Sequence, residues 1–219
     1  MANYILVKKN MHCSVKYKWF IGVRFLTVIE KPLLAAKSFI RRCSLDGETA
    51  VDATAGNGHD TLFLARLVGE NGRVLTFDIQ NEALETTRAR LAEENLENRV
   101  ALILSGHEYA DQYLDGPVAA AMFNLGYLPG GDHSIVTSPK TTSTALRILA
   151  GQLKTQGIIT IVMYSGHPGG SEEKAAVLDC CSQLPQKHFT VLSYELVNQA
   201  NNPPSLLVIE KKEATGLKR

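Results

Sequence analysis

The chain has 219 residues, of which 45% are hydrophobic and 21% are charged. This length fits one large domain or two small ones, and the hydrophobic content excludes a disordered chain. The longest apolar run near the start, residues 19–29, contains Arg24 and is too short to span a bilayer. The four cysteines form no Cys-x-x-Cys pair, so neither a zinc knuckle nor a disulfide framework is indicated. We therefore expect a cytoplasmic protein without a membrane segment.

Charge is divided unevenly along the chain. Residues 1–43 hold nine Lys and Arg against one acid, Glu30, whereas the remaining residues hold 14 bases against 21 acids. A basic arm on an acidic body is typical of nucleic-acid binding. Two other interpretations stay open: a solvated amphipathic helix, and a targeting segment whose apolar stretch is interrupted by Arg24. We place a basic N-terminal extension at residues 1–30 and one domain at residues 31–219.

Strand and helix patterns alternate from residue 46 onward. Short apolar runs that end in Gly or polar residues predict buried strands at Thr49–Thr54, Arg73–Ile79, Val100–Leu104, Val118–Phe123 and Ile158–Met163. Helical spacing predicts the intervening helices at residues 61–68, 82–95, 140–155 and 172–184. Asn81 is the predicted N-cap of the helix at residues 82–95.

The last two strand-like runs, Phe189–Val197 and Leu206–Glu210, are separated by only eight residues. No crossover helix fits in that loop, so these strands should form an antiparallel hairpin. Five strands that alternate with helices, followed by a hairpin, predict an α/β fold. We expect one mostly parallel, seven-stranded sheet with helices on both faces.

In an open parallel sheet, ligands bind beyond the carboxyl ends of the strands. The first strand continues into residues 52–60 (DATAGNGHD), where Gly56 and Gly58 let the backbone approach a ligand and the next helix offers free amides. Thr61 stands where a dinucleotide-binding GxGxxG turn has its third Gly. The spacing resembles instead the D-x-G-x-G-x-G turn of class I S-adenosylmethionine (AdoMet) methyltransferases, with Thr54 in the first Gly position.

Polar residues also end the next two strands. Asp78 lies 20 residues after Gly58, at the register where a carboxylate binds ribose hydroxyls in a βαβ nucleotide unit. Residues 105–108 (SGHE) follow the third strand and suit the edge of an adenine. We therefore predict an adenosine-binding crevice. Its predicted cofactor-binding residues are Asp52, Thr54, Ala55, Gly56, Asn57, Gly58, Asp60, Thr61, Asp78, Ile79, Gln80, Gly106, His107 and Asn124.

The fourth strand ends in residues 124–133 (NLGYLPGGDH). Asn124 and Tyr127 occupy the Asn and aromatic positions of the [DN]-P-P-[FY] motif of amino-group methyltransferases, although Leu-Gly replaces the Pro pair. In that motif the Asn oxygen accepts hydrogen bonds from the target amine, and the ring stacks on the base. We predict Asn124 and Tyr127 as catalytic residues. Asp132 or His133 is the predicted proton acceptor, with solvent as the alternative.

Four of the six histidines follow predicted strand ends, namely His59, His107, His133 and His167. None of them pairs with another ligand at the short spacings of zinc motifs, so no metal site is predicted. The loops after the fourth and fifth strands and within the hairpin carry amides and rings that suit bases and sugars. The predicted substrate-binding residues are Tyr127, Pro129, Gly130, Gly131, Tyr164, His167, Asn198, Asn201 and Asn202.

Several segments resemble the bacterial YtqB/MnmM-type methyltransferases: residues 51–65 (VDATAGNGHDTLFLA), 77–80 (FDIQ), 124–133, 164–170 (YSGHPGG) and 198–211 (NQANNPPSLLVIEK). The resemblance extends over residues 45–211 and leaves residues 1–25 outside. It implies a class I fold with strand order 3-2-1-4-5-7-6 and AdoMet as the methyl donor, with S-adenosylhomocysteine as product. It also implies N-methylation of 5-aminomethyl-(2-thio)uridine at the wobble position, and thus the tRNA anticodon loop as partner.

Other functions are weighed against this one. Methylation of an rRNA base is an alternative, because the group has long carried an rRNA methylase label. An NAD-dependent oxidoreductase would use the same scaffold, but the failed GxGxxG spacing counts against it. A non-catalytic RNA-binding module would retain the cofactor pocket, but the intact segment 124–133 counts against that. The sequence leaves a homodimer open.

Overall fold

A computed structural model describes residues 28–132 and 134–213. The predictions for residues 1–25 and for His133 lie outside the described residues. The strands are β1 (Thr49–Asp52), β2 (Arg73–Asp78), β3 (Val100–Leu104), β4 (Val118–Asn124), β5 (Leu153–Met163), β6 (Phe189–Tyr194) and β7 (Ser205–Lys211). The α-helices of the described part are α1 (Pro32–Ile40), α2 (His59–Leu67), α3 (Asn81–Ala92), α4 (Pro139–Gln152) and α5 (Gly170–Ser182).

The strands form one seven-stranded sheet in the order β3-β2-β1-β4-β5-β7-β6. β1 pairs in parallel with β2 and β4, β2 pairs in parallel with β3, and β4 pairs in parallel with β5. β7 is antiparallel to both β5 and β6. The predicted α/β class, strand order and terminal hairpin are therefore confirmed.

The sheet is covered on both faces because alternate residues of each buried strand point to opposite sides. On one face, Val51 and Ala121 pack in a core with residues of α4 and α5. On the other face, Ala50 and Ala120 pack in a core with residues of α1 and α2. No helix of the described residues is long and apolar enough to cross a membrane.

The boundary between α4 and β5 differs from the prediction. The helix expected over residues 140–155 ends at Gln152, and β5 begins at Leu153 rather than at residue 158. Leu153 pairs with Val118 of β4, and the register then shifts before Ala120 pairs with Ile158. Gln156 has a φ of 62° within this irregular stretch. Pairing with β4 thus overrides the local helical pattern, a long-range effect that the spacing of apolar residues does not contain.

The starts of helices α2, α3 and α5 also differ from the prediction. Asn81 is the first residue of α3 rather than its N-cap; Gln80 is the cap and makes no side-chain cap hydrogen bond. Helices α2 and α5 begin two residues earlier than predicted, each directly after a glycine in the left-handed region, Gly58 (φ 76°) and Gly169 (φ 81°). A glycine with a positive φ thus immediately precedes each of these two helices.

Candidate active site

A cavity of about 740 Å³ opens at the carboxyl ends of the parallel strands. This is the edge where open α/β sheets bind ligands. One side, which we call the cofactor wall, comprises residues 53–57, 59–60, 77–80 and 105–108; the other, the acceptor wall, comprises residues 124–129 and 135–138. The cavity brings together the following predicted site residues: Thr54, Ala55, Gly56, Asn57, Asp60, Asp78, Ile79, Gln80, Gly106, His107, Asn124, Tyr127, Pro129, Tyr164, His167 and Asn202.

Eight predicted site residues do not line this cavity: Asp52, Gly58, Thr61, Gly130, Gly131, Asp132, Asn198 and Asn201. Asn198 instead borders a separate groove with Val28 and Val197. Gly58 has a structural role, because a Cβ at this position would lie 2.9 Å from atoms of Thr87. The motif therefore includes residues that shape the turn as well as residues that face the cavity.

Asp52 is buried beneath the turn and shapes it from within. Its side chain is 1% exposed, and its carboxylate accepts hydrogen bonds from the Thr61 hydroxyl (2.6 Å) and the Thr54 amide (3.1 Å). Burial, together with the negative charges of Asp60 and Asp78, raises the pKa of Asp52 to about 7. The prediction that Asp52 and Thr61 bind the cofactor is thus corrected: both hold the turn.

Asp78 is fixed at the end of β2 by two backbone donors. Its Oδ2 accepts a hydrogen bond from the Gly56 amide (3.0 Å), and its Oδ1 accepts one from the Gln80 amide (2.9 Å). The carboxylate lines the cavity beside Ile79, a hydrophobic side chain that is 60% exposed. A fixed carboxylate next to an uncovered apolar side chain is the combination that a ribose and an adjoining base need.

His107 joins the ends of two strands. Its Nδ1 hydrogen-bonds the Ala53 carbonyl at 2.9 Å, and its ring packs edge-on against Phe123 with centroids 5.6 Å apart. Burial lowers the pKa of His107, so the imidazole is neutral, with Nδ1 as donor and Nε2 as acceptor. Nε2 is buried without a partner among the described residues. His107 therefore braces the cofactor wall while keeping one unused acceptor.

Asn124 ends β4 where the two walls meet. Its backbone N–H donates a hydrogen bond to the Thr54 hydroxyl at 2.8 Å, which connects the acceptor wall to the turn after β1. Its side-chain Oδ1 is buried and has no hydrogen-bond partner among the described residues. A buried carbonyl oxygen without a donor is costly, so an incoming N–H group would be favourable there. The binding of the target amine by Asn124 stays a prediction.

Tyr127 is held beside Asn124 by its neighbours in the acceptor wall. It forms an isolated antiparallel bridge with Val136. Its ring meets His167 edge-on, with centroids 5.9 Å apart. Gly126, with a φ of 136°, makes the bend between Asn124 and Tyr127, so this chain uses a glycine where the motif has proline.

The structure does not place Asp132, one of the two predicted proton acceptors, in the lining of the cavity. Asp132 is exposed, does not line the cavity, and accepts a hydrogen bond from the Ser134 amide at 2.8 Å through its Oδ1. Its partner in the prediction, His133, is not among the described residues. The assignment of the proton acceptor stays a prediction.

Helix α1 also contributes side chains to the cavity, which was not predicted from the sequence. Leu33 and Lys37 line the cavity, and the Lys37 ammonium forms an ion pair with Asp60 at 2.8 Å. The sequence indicates Lys37 only as one of the bases of residues 1–43. Its four-residue spacing from Leu33 on a helix was the available signal, but its contact with Asp60 depends on the packing of α1 beside α2.

These features define a class I methyltransferase fold with a nucleoside-sized cavity at its carboxyl edge. A family model described as "Putative rRNA methylase" matches residues 74–210, and the chain belongs to this family. The chain is also 35% identical over 176 residues to the chloroplastic tRNA (mnm(5)s(2)U34)-methyltransferase of Arabidopsis thaliana. That match covers 76% of this chain and 64% of the relative, so the chain spans less than two thirds of that protein.

Two solved structures are similar to this chain over most of its length. The structure of a "putative rRNA-methylase" from Clostridium thermocellum is 51% identical with a TM-score of 0.83, covering 84% of this chain and 100% of that chain. SMU.1697c from Streptococcus mutans, described as "a putative methyltransferase" and solved in complex with SAH, is 42% identical with a TM-score of 0.77, covering 84% of this chain and 99% of that chain. The predicted family and fold are thereby confirmed.

Proposed function

We propose that this chain is an AdoMet-dependent RNA methyltransferase that N-methylates the 5-aminomethyl group of (2-thio)uridine at the wobble position of tRNA. The observation that carries the proposal is Asn124, whose unpaired, buried oxygen lies in the cavity wall next to Tyr127. The family and the SAH complex of a relative support the cofactor, and the activity for which the Arabidopsis relative is named supports the substrate.

The cavity residues fit AdoMet. The Asp78 carboxylate would bind the ribose hydroxyls, Ile79 would contact the adenine, and the turn at 54–57 would approach the cofactor through its backbone. Lys37 and Asp60 present opposite charges at the cavity surface, which suits a zwitterionic amino-acid group. When bound, AdoMet would supply a methyl group activated by the sulfonium beside it.

The remaining chemistry belongs to the chain and its substrate. An alkylamine is mostly protonated at neutral pH, so it must lose a proton before its lone pair can attack the methyl carbon. The N–C bond then forms as the S–C bond breaks, which yields the methylamine and S-adenosylhomocysteine. Asn124 orients the amine through its oxygen, and Tyr127 stacks on the uracil. Much of the rate would come from this positioning.

Charge on the outside of the fold supports an RNA substrate. Lys31, Arg41 and Arg42 are exposed on or beside α1, and Lys37 of the same helix lines the cavity. The guanidinium of Arg41 lies over the Phe63 ring and that of Arg42 over the Phe39 ring, each 4.9 Å from the centroid. These cations would contact phosphates near the cavity.

The test is nucleoside mass spectrometry of tRNA from cells with and without the protein, together with methylation of isolated RNAs in vitro. We expect aminomethyl-(2-thio)uridine to accumulate in the cells that lack the protein, and purified protein to methylate it. Methylation of rRNA alone would favour the alternative substrate. AdoMet binding without turnover of any RNA would favour a non-catalytic binding module.

A further inference from the structure

A buried carboxylate lies behind the acceptor wall, away from the cofactor wall. Glu173, in the first turn of α5, is 2% exposed. Its Oε2 accepts a hydrogen bond from the Thr137 hydroxyl and its Oε1 accepts one from the Thr142 hydroxyl, both at 2.6 Å. Neither Glu173 nor Thr142 lines the cavity. The carboxylate therefore acts only through the groups that it holds.

Thr137 lines the cavity as part of the acceptor wall and links Glu173 to Gly126. Its hydroxyl oxygen accepts a hydrogen bond from the Gly126 amide at 3.0 Å, and its own amide donates to the Gly126 carbonyl at 3.0 Å. Gly126 is the bend between Asn124 and Tyr127. The chain of contacts thus runs from the first turn of α5, through one hydroxyl, to the residue that sets the relative placement of the two predicted catalytic side chains.

The chemistry of a carboxylate gives this chain of hydrogen bonds a fixed direction. The Thr137 and Thr142 hydroxyls both donate to Glu173, whose two carboxylate oxygens accept. The lone pairs of Thr137 are then left for the Gly126 amide. A glutamine would carry two donor hydrogens and could turn one hydroxyl around. The position of Glu173 in the first turn of α5, at the positive end of that helix, and its two short hydrogen bonds suit a carboxylate at this buried site.

We propose that Glu173 and Thr137 are positioning residues that hold Asn124 and Tyr127 in the geometry needed for methyl transfer to an amine. The inference rests on the proposed function. It assigns a role to a part of the molecule that no sequence motif marked. Thr142 serves the same carboxylate but makes no contact with Gly126, and it is therefore a matched control.

The experiment compares Thr137→Val, Thr137→Ser and Thr142→Val on aminomethyluridine tRNA. We measure kcat, the KM for tRNA, the Kd for AdoMet and the Tm of each variant. Thr137→Val should lower kcat by about 10-fold or more, because small misplacements of a reacting group are costly. Its AdoMet affinity should stay within about threefold, since the cofactor wall is untouched. Thr137→Ser keeps the hydroxyl and should restore most of the rate.

Thr142→Val should lower the Tm by about as much as Thr137→Val does, while its kcat stays within about threefold of the parent. Glu173→Gln keeps the size of the side chain and should lower kcat by more than Thr142→Val does. Equal losses of kcat in Thr137→Val and Thr142→Val at equal Tm would overturn the positioning role, as would a parental kcat in Thr137→Val. If Thr142→Val does not fold, the comparison of Thr137→Val with Thr137→Ser decides the question.

The same assay separates this inference from the function on which it rests. A parent protein that leaves aminomethyluridine tRNA unmethylated contradicts the proposed function, and with it a role in placing that amine. An active parent whose rate is unaffected by Thr137→Val contradicts the positioning role alone.

Discussion

The two walls of the cavity are built in different ways. The turn after β1 in the cofactor wall is held by short-range contacts, since Asp52 accepts hydrogen bonds from residues two and nine positions away. Asp78 and His107 add contacts from beyond this turn, to the Gly56 amide and the Ala53 carbonyl. The acceptor wall depends on partners distant in the sequence, as when Thr137 meets Glu173 from α5. Local contacts leave a motif that can be recognised in the sequence, whereas distant contacts exist only after folding.

The walls nevertheless meet through the hydrogen bond from the Asn57 side chain to the Pro129 carbonyl, and through the hydrogen bond from the Asn124 backbone amide to the Thr54 hydroxyl. Substitutions on either side of this contact should therefore separate two functions. Those in the acceptor wall should change turnover, and those in the cofactor wall should change AdoMet affinity. The following predictions test that division.

The largest effect is expected for Asn124→Ala. This variant removes the acceptor for the amine, so turnover should fall on the order of 10²-fold or more, while AdoMet affinity stays within a few-fold. Asn124→Asp keeps an acceptor but adds a charge that favours the protonated amine. It should retain more activity than the alanine variant, with its pH optimum moved upward. Parental rates in Asn124→Ala on aminomethyluridine tRNA would assign amine placement to another residue.

Asp78→Ala should mainly weaken cofactor binding, because Asp78 lies in the cofactor wall. Loss of a charged acceptor for the ribose should weaken AdoMet binding by about 1.5–3 kcal/mol, measured by calorimetry. Because Asp78 also accepts two backbone hydrogen bonds, the unliganded protein should lose stability as well. Asp111→Ala, at an exposed carboxylate outside the cavity, is the control. Unchanged AdoMet affinity in Asp78→Ala would contradict the ribose assignment.

Deletion of residues 1–25, the first part of the basic segment 1–43, tests whether RNA binding is separate from both walls of the cavity. Residues 1–25 carry five Lys and Arg and no acid. Deleting them should flatten the dependence of tRNA affinity on salt concentration, by about 0.7–0.9 in the log–log slope for each lost phosphate contact. AdoMet affinity should not change. Equal slopes for the full chain and the deletion variant would show that these bases make no phosphate contacts in the complex.

Asp52→Asn tests the stability of the turn rather than turnover or AdoMet affinity. The pKa of Asp52 rises from 3.8 to about 7 on folding, so the folded state holds a proton that the unfolded state releases between these values. Stability should therefore fall as pH rises from about 4 to 7, by up to about 1.4 kcal/mol per pH unit. Denaturant unfolding should show a shallower pH dependence in Asp52→Asn than in the parent. Identical pH profiles would contradict the shifted pKa.

The sequence determined more of the fold than of the element boundaries. Strand-like runs identified all seven strands. The continuous apolar run of β4 is typical of a strand buried on both faces, whereas β6 lies at the edge of the sheet and is mostly exposed. The short loop before β7 fixed the terminal hairpin. In contrast, the start of β5 at Leu153 was missed, since only its pairing with Val118 draws those residues out of a helix. Pairing between strands is a property of the tertiary structure, and local spacing does not record it.

The same division holds for the site. The spacing of Gly56, Gly58 and Asp78 determined the turn and the carboxylate, because both depend on backbone geometry within one βαβ unit. Only the tertiary structure decided that Asp52 faces inward and that Lys37 reaches Asp60. The same is true of Glu173, which lies behind Gly126 although 47 positions separate them in the sequence. Side-chain contacts between distant elements follow from how helices pack on the sheet, and no local pattern encodes that packing.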